Sequence, residues 1–212
     1  FDMGYGWDFH HIMNDVVKGK QTANDMEAFF TKIDTVFPAD SYLMNFITNH
    51  DENSWNGTVE ERMGEGGKAF AVLTFTMPGM PLIYSGQEAG LNKRLKFFEK
   101  DEIDWTNMEM SSFYKDLIRL KKHNKALQNG VKGGELVRIN SDQNEKVFAF
   151  SREAGKDKVI VVLNLSKNAV DVKLNTEVHV GTYGDFFTKE KQQLTKETSI
   201  SLKAWEYRIF IK

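Results

Sequence analysis

The chain has 212 residues, 41% apolar and 12% aromatic, enough for one large or two small domains with real cores and too apolar for a disordered chain. Its 28 Lys and Arg against 30 Asp and Glu leave a formal charge of -2, which offers neither the basic field of a nucleic-acid binder nor a polybasic patch for a membrane. There is no cysteine, which excludes disulfides, thiolate nucleophiles and cysteine-based zinc sites, and no apolar run approaches the ~20 residues of a spanning helix.

The chain opens on Phe1-Asp2-Met3, with neither a start methionine nor a signal peptide, and reads as a fragment of a longer protein. Residues 1–6 are short and Gly-rich and can be the end of a strand. From Trp7 to Val17 the apolar residues Phe9, Ile12, Met13, Val16 and Val17 recur at helical spacing, and Gly19 supplies a stop. His10, His11 and Asp15 can be drawn as a metal site, but only one histidine shares a helix face with Asp15, so packing on the helix surface is the simpler reading. Asn24 or Asp25 can cap a second helix from Met26 to Val36, ended by Pro38.

Tyr42 to Asn53, Y-L-M-N-F-I-T-N-H-D-E-N, is the stretch around which the rest is arranged. Its first half, to Thr48, has the pattern of a strand buried on both faces, as in a parallel sheet, and it runs into Asn49, His50, Asp51, Glu52 and Asn53. A greasy strand that ends in acids, amides and an imidazole suits a site at the C-terminal end of a parallel sheet, although a His-Asp pair alone is no more than a common loop feature. Residues 57–67 have the polar, Gly-rich composition of a surface loop, and their G-E-G-G lacks the Lys-Ser/Thr of a phosphate cradle. Lys68 to Met77 reads as a buried helix and Pro81 to Tyr84 as a short buried strand, which completes a strand–helix–strand unit that must run parallel. A charged loop from Leu91 to Trp105 then leads to a helix that starts at Ser111 or Ser112.

Past Gly130 the texture changes to short alternating runs at 135–139, 146–151, 158–165, 169–174, 178–180, 199–202 and 205–211, with Asn140 to Asn144 as a hairpin tip. Their spacing of roughly ten residues predicts an antiparallel sandwich, with a domain boundary near Gln128.

Two ordered segments resemble motifs of the α-amylase family of glycoside hydrolases. F-I-T-N-H-D, Phe46 to Asp51, is similar to the motif at that family's seventh barrel strand. G-M-P-L-I-Y-S-G-Q-E, Gly79 to Glu88, is similar to its eighth-strand motif. Phe1 to Asn14 resembles the sixth-strand region, Phe97 to Trp105 the loop after the eighth strand, and the antiparallel tail the terminal sandwich. The resemblance implies an α/β plus all-β chain: residues 1–127 as the last three β/α units of a (β/α)8 TIM barrel, and residues 128–212 as a β-sandwich.

It further implies a retaining hydrolase of α-1,4-glucosidic bonds in starch-like glucans, whose nucleophile and acid/base lie on the fourth and fifth strands. Neither of those motifs is found here, nor the earlier one that contributes to the usual calcium site, so no cofactor is expected of these residues while calcium stays open for a longer parent. Asp51 matches the carboxylate that grips the 2- and 3-hydroxyls of the sugar at the transition state, and His50 matches an imidazole that binds the same sugar. Glu88 reads as a rim residue, Tyr5 and Trp7 stay unassigned, and Trp55 reads equally as sugar platform or packing. The glycines at 4 and 6 stand where relatives often carry side chains. The fragment alone is expected to be inactive and to associate with the missing N-terminal half of the barrel or with itself, and the family's habit favours secretion or the periplasm. The competing reading from another class is a catalytically dead relative used as a scaffold, or a glucan-binding protein; within the enzyme class a transglycosidase is the alternative.

Overall fold

The computed structural model describes residues 2–212, the side chain of Asp34 excepted. Phe1, which begins both the expected opening strand and the sixth-strand motif, lies outside the described residues.

Strands β1 (Met3–Tyr5), β2 (Tyr42–Asn45) and β3 (Met80–Pro81) form a parallel sheet in that order, with Met3 opposite Tyr42 and Met44 opposite Met80. Helices α1 (Trp7–Val17) and α2 (Ala23–Val36) follow β1, α3 (Val59–Met63) and α4 (Gly67–Thr76) follow β2, and α5 (Ser111–His123) follows β3. One core gathers their inner faces: Phe9 and Met13 of α1, Phe30 of α2, Phe70 and Leu73 of α4, and Leu117 of α5. Nearly every residue of α4 is buried, which explains its lack of a polar stripe.

The strands are shorter than the apolar runs. The expected strand to Thr48 ends at Asn45, because the next carbonyls bond to side chains instead of a neighbouring strand: Phe46 O meets His10 Nδ1 at 3.1 Å, and Ile47 O accepts from Arg62 at 2.8 Å. Only Asn45 of the four strand residues is buried, so the expected two-sided burial is not met there, whereas Phe46 to Asn49 are buried without being strand. In the same way Tyr84 N donates to Gln87 Oε1 at 2.6 Å, which ends the expected strand at 81–84 early.

Residues 57–67 are not a loop. Thr58 accepts from Glu61 N at 3.2 Å while Glu61 accepts from Thr58 N at 2.7 Å, a reciprocal cap that starts α3. Thr22 with Asp25 does the same for α2, in place of the expected Asn24 or Asp25 cap.

The C-terminal part contains β4 (Val137–Arg138), β5 (Val147–Ala154), β6 (Asp157–Asn164), β7 (Val170–Asn175), β8 (Gly181–Asp185), β9 (Lys191–Leu194), β10 (Glu197–Leu202) and β11 (Tyr207–Ile211). Six of them form an antiparallel sheet in the order β4-β5-β6-β11-β8-β9, and β10 pairs with β7. The run at 178–180 is a 3-10 turn over Glu177–His179, and β8 and β9 replace it as strands that the apolar pattern does not reveal.

Alternation sends the two faces of the large sheet to different partners. Phe148, Phe150, Val159, Val161 and Ile209 join the core of the helices. Val147, Ala149, Ile160, Val162 and Phe210 face Val172 and Leu174 of β7 and Leu202 of β10. Burial on both sides is why β5 and β6 read as nearly continuous apolar runs.

At the junction Arg152, 2% exposed, donates to Gly134 O at 2.8 Å, Thr76 O at 3.1 Å and Gln128 O at 3.0 Å. It thereby ties β5 to the end of α4 and to the connecting segment. Gly133 and Gly134 press so closely on Gln128 and Glu153 that a Cβ on either would overlap backbone atoms.

Candidate active site

Beyond β2 the backbone turns through Phe46 to Asn49 into a helical turn that begins at His50 and widens to a π-helix over Glu52–Asn56. Asn49 starts it: its Oδ1 accepts from Glu52 N at 2.9 Å, and its carbonyl accepts from Asn53 N at 3.0 Å. Gly57 closes it with a φ of 117°, a conformation open to glycine, and donates its N–H to Glu52 O at 3.0 Å. Single π-turns of this kind concentrate at functional sites.

His50 and Asp51 stand together at this strand end. Their side chains are 53% and 42% exposed, and His50 Nε2 lies 3.6 Å from Asp51 Oδ1. That separation exceeds a hydrogen bond, so both carboxylate oxygens of Asp51 remain available to hydroxyl donors. The His50 ring stacks on Phe97 at 5.8 Å, and Trp55 and Phe98 join the same exposed aromatic group, with Trp55 5.2 Å from Phe97.

Below the turn lies a buried polar network. Glu52 Oε2 is 3.0 Å from His10 Nε2 and 3.9 Å from Arg62, and Glu52 Oε1 accepts from Asn56 at 2.9 Å. Arg62 also donates to Asn14 Oδ1 at 3.0 Å, Ile47 O at 2.8 Å and Gly57 O at 3.0 Å. Burial pushes the Glu52 carboxyl up, but His10, Asn56 and Arg62 together outweigh it and hold it down to about 2. Burial lowers Arg62, opposed by Glu52 and Glu61.

His10 is therefore fully buried, stacked on Phe46 at 4.8 Å, and the surface packing expected of the His10-His11 pair holds for His11 alone. Among the described residues, no group of three or more His, Asp or Glu is arranged to hold a metal ion. Sequence reading missed this network because its members come from three helical segments. The hint was a second acid, Glu52, directly after His50-Asp51, together with an arginine within the Gly-rich stretch 57–67.

The loop after β3 is lashed to the same turn. Asn53 accepts from Leu95 N at 2.7 Å and donates to Lys93 O at 3.1 Å, Ser54 donates to Leu95 O at 2.7 Å, and Arg94 pairs with Glu61 at 2.9 Å. Glu88 is half-buried, and its Oε2 makes no hydrogen bond with another described residue. The rim tie comes from its neighbour Gln87, which joins Tyr84 N to the Tyr114 hydroxyl at 2.8 Å. Tyr5 and Trp7 stack on each other at 6.2 Å and meet Phe46 edge-on, so both pack at the rim. An open cavity of about 850 Å³ lies in the sandwich; its Lys173 and Lys196 are paired with Glu197 and Glu177, and neither His50 nor Asp51 lines it.

Parallel strands each followed by helices, polar groups at the strand ends and an antiparallel sandwich packed behind define part of a (β/α)8-barrel protein with its terminal domain. The alpha amylase catalytic domain family matches residues 2–116 and the maltogenic amylase C-terminal domain family residues 137–209. The chain belongs to the alpha-amylase family.

It is 28% identical over 180 residues to the alpha-amylase MalA of Haloarcula japonica, a match that covers 82% of this chain and 26% of the relative. Its fold is similar to that of a noncanonic maltogenic alpha-amylase, AmyB, from Thermotoga neapolitana, with a TM-score of 0.81 at 22% identity over all of this chain and 50% of the other. AmyP in complex with maltose is similar at a TM-score of 0.78 and 14% identity, again over all of this chain and 50% of the other. The chain thus spans about a quarter of the curated relative and half of the solved structures.

Proposed function

We propose that this chain is the C-terminal part of a retaining α-glucan hydrolase that cleaves α-1,4-glucosidic bonds, with residues 1–127 as its share of the barrel and 128–212 as the sandwich. Asp51 stabilises the transition state and His50 binds the same sugar. The observation that carries this reading is an exposed carboxylate without a hydrogen bond, at the end of the central strand, on a turn held rigidly from below. It lies within the part of the chain that the catalytic-domain family matches. A solved neighbour that holds maltose supports an α-glucan as the ligand.

Cleavage with retention develops positive charge and flattens the sugar ring, and it needs a nucleophile and an acid/base on opposite sides of the bond. Neither motif occurs in this chain. The geometry of Asp51 suits another role. Its two free oxygens accept hydrogen bonds from vicinal hydroxyls whose positions shift as the ring flattens, so the contact strengthens at the transition state. His50 beside it donates a ring N–H to the same sugar. Alone, the chain binds but does not cleave. Among the described residues β1 and β3 form the two edges of the parallel sheet, which the N-terminal half of the barrel, or a second copy, would cover. Calcium, if the parent carries it, is held by other residues, and a secreted or periplasmic parent fits the family.

Complementation tests this reading. Purified chain should release no reducing sugar from soluble starch, addition of the N-terminal half should restore release, and Asp51→Asn should remove it again. Release by the chain alone, or undiminished turnover in the Asp51→Asn complex, contradicts the proposal.

A further inference from the structure

The buried network does more than fill space under the turn. His10 and Arg62 each reach two places at once. His10 meets Phe46 O at 3.1 Å through Nδ1 and Glu52 Oε2 at 3.0 Å through Nε2. Arg62 donates to Ile47 O at 2.8 Å and lies 3.9 Å from the same carboxylate oxygen. Two side chains from helices on either side therefore clamp the backbone at 46 and 47 and the carboxylate at 52. The segment bracketed between those clamps is 48–51, which carries His50 and Asp51.

From these contacts we infer that Glu52 is a positioning residue: clamped by His10 and Arg62, it sets where its neighbour Asp51 presents its carboxylate. This rests on the reading of Asp51 given above and deepens it. Stability alone does not explain the arrangement, since buried ion pairs are commonly replaceable by apolar residues without loss. Consecutive residues on a helical turn point in different directions, so a carboxylate anchored below at 52 leaves the one at 51 to face outward. Asn56 completes the anchor from within the same π-turn, and Asn49 fixes its start. Catalytic groups misplaced by about 1 Å can lose roughly a hundredfold in rate, so such a clamp acts on turnover more than on binding.

The test is made in the full-length enzyme with Glu52→Gln, Asn56→Ala and, as a control on an exposed carboxylate nearby, Glu60→Gln. Each protein is first shown to be fully folded by circular dichroism at the assay temperature. Glu52→Gln should lower kcat roughly tenfold or more with KM within about threefold of wild type, as expected for a group that acts on the transition state. Asn56→Ala, which removes one contact to Glu52 and keeps the charges, should lower kcat in the same direction by a smaller factor and stands in should Glu52→Gln fail to fold. Glu60→Gln should match wild type.

Three results overturn the positioning role: folded variants with unchanged kcat, a kcat loss that only tracks the unfolded fraction and disappears on cooling, or a rise in KM with kcat intact. Asp51→Asn separates the two levels. If it abolishes turnover while Glu52→Gln does not affect it, the positioning role fails and the function stands. If Asp51→Asn leaves turnover unchanged, both fail.

Discussion

The two halves of the chain solve the same packing problem in opposite ways. In the sandwich the ladders run to completion: β5 and β6 pair over eight residues, and both faces of the sheet are buried. In the barrel part β2 pairs with β3 through only two residues, after which side chains take over the backbone carbonyls. Three buried polar atoms without a protein partner, Asn45 Oδ1, Thr48 Oγ1 and Asn49 Nδ2, fall there within five residues, while those of the C-terminal part are scattered over Asn129, Arg138, His179 and Arg208. These polar groups at the strand end are left to partners outside the chain, whereas the large sheet of the sandwich buries apolar residues on both faces. The site thus lies where the ladder is shortest, and the two regions are joined by a shared apolar core and by Arg152.

The sharpest way to break this division is at the junction. Arg152→Met keeps much of the apolar stem but leaves Thr76, Gln128 and Gly134 carbonyls without their donor. Chemical denaturation should show a loss of about 3 kcal/mol or more, and a single cooperative transition should split in two as the regions uncouple. A variant that unfolds at the wild-type midpoint in one step would mean that the apolar interface alone joins them.

Acid separates the regions next. The Glu52 carboxyl is held down to about 2, against 4.5 when free, so it contributes stability above pH 4.5 that is lost as pH falls toward 2. Glu61, bonded by Arg94 and Thr58, and Asp101, bonded by Lys93, are likewise held to about 2, but Glu61 is exposed and Asp101 pairs with a half-exposed lysine, so their share should fade with salt. Thermal melts at high salt should therefore keep an acid-labile component that Glu52→Gln removes. If the slope between pH 4.5 and 2 is the same in wild type and variant, the buried network is not ionised as described.

A further effect lies on the alkaline side. Burial, aided by nearby Arg152, lowers the Lys121 ammonium from 10.5 to about 7, while its Nζ donates to Leu127 O at 2.8 Å. The unfolded chain binds this proton more tightly, so stability should rise as pH goes from about 7 toward 10. Lys121→Met should flatten that rise; a rise that persists assigns it to another group.

What could be read from the sequence follows the same division. Helix α4 and strands β5 and β6 are legible because burial on all sides leaves apolar runs, A-F-A-V-L in α4, V-F-A-F in β5 and V-I-V-V-L in β6. His50 and Asp51 are legible as a pair because they follow such a run directly. The strand's true end at Asn45 is not, since it depends on His10, 36 residues from Phe46, taking a carbonyl that a neighbouring strand would otherwise use. Strands β8 and β9, G-T-Y-G-D and K-Q-Q-L, hide because they are mostly polar or glycine, which leaves no apolar alternation to mark them. Helix α3 carries its own local signal, Thr58 followed three residues later by Glu61, but the glycines on either side give the stretch the composition of a loop.

Differential affinity tests most directly whether Asp51 favours the flattened ring over the ground state. In the full-length enzyme, Kd should be measured for maltose and for a cationic, flattened-ring glucose analogue, with wild type and Asp51→Asn. Asp51→Asn should weaken the flattened analogue by roughly a hundredfold while maltose affinity changes by less than about threefold. Equal losses for both ligands, or no loss for the analogue, would contradict the role assigned to this carboxylate.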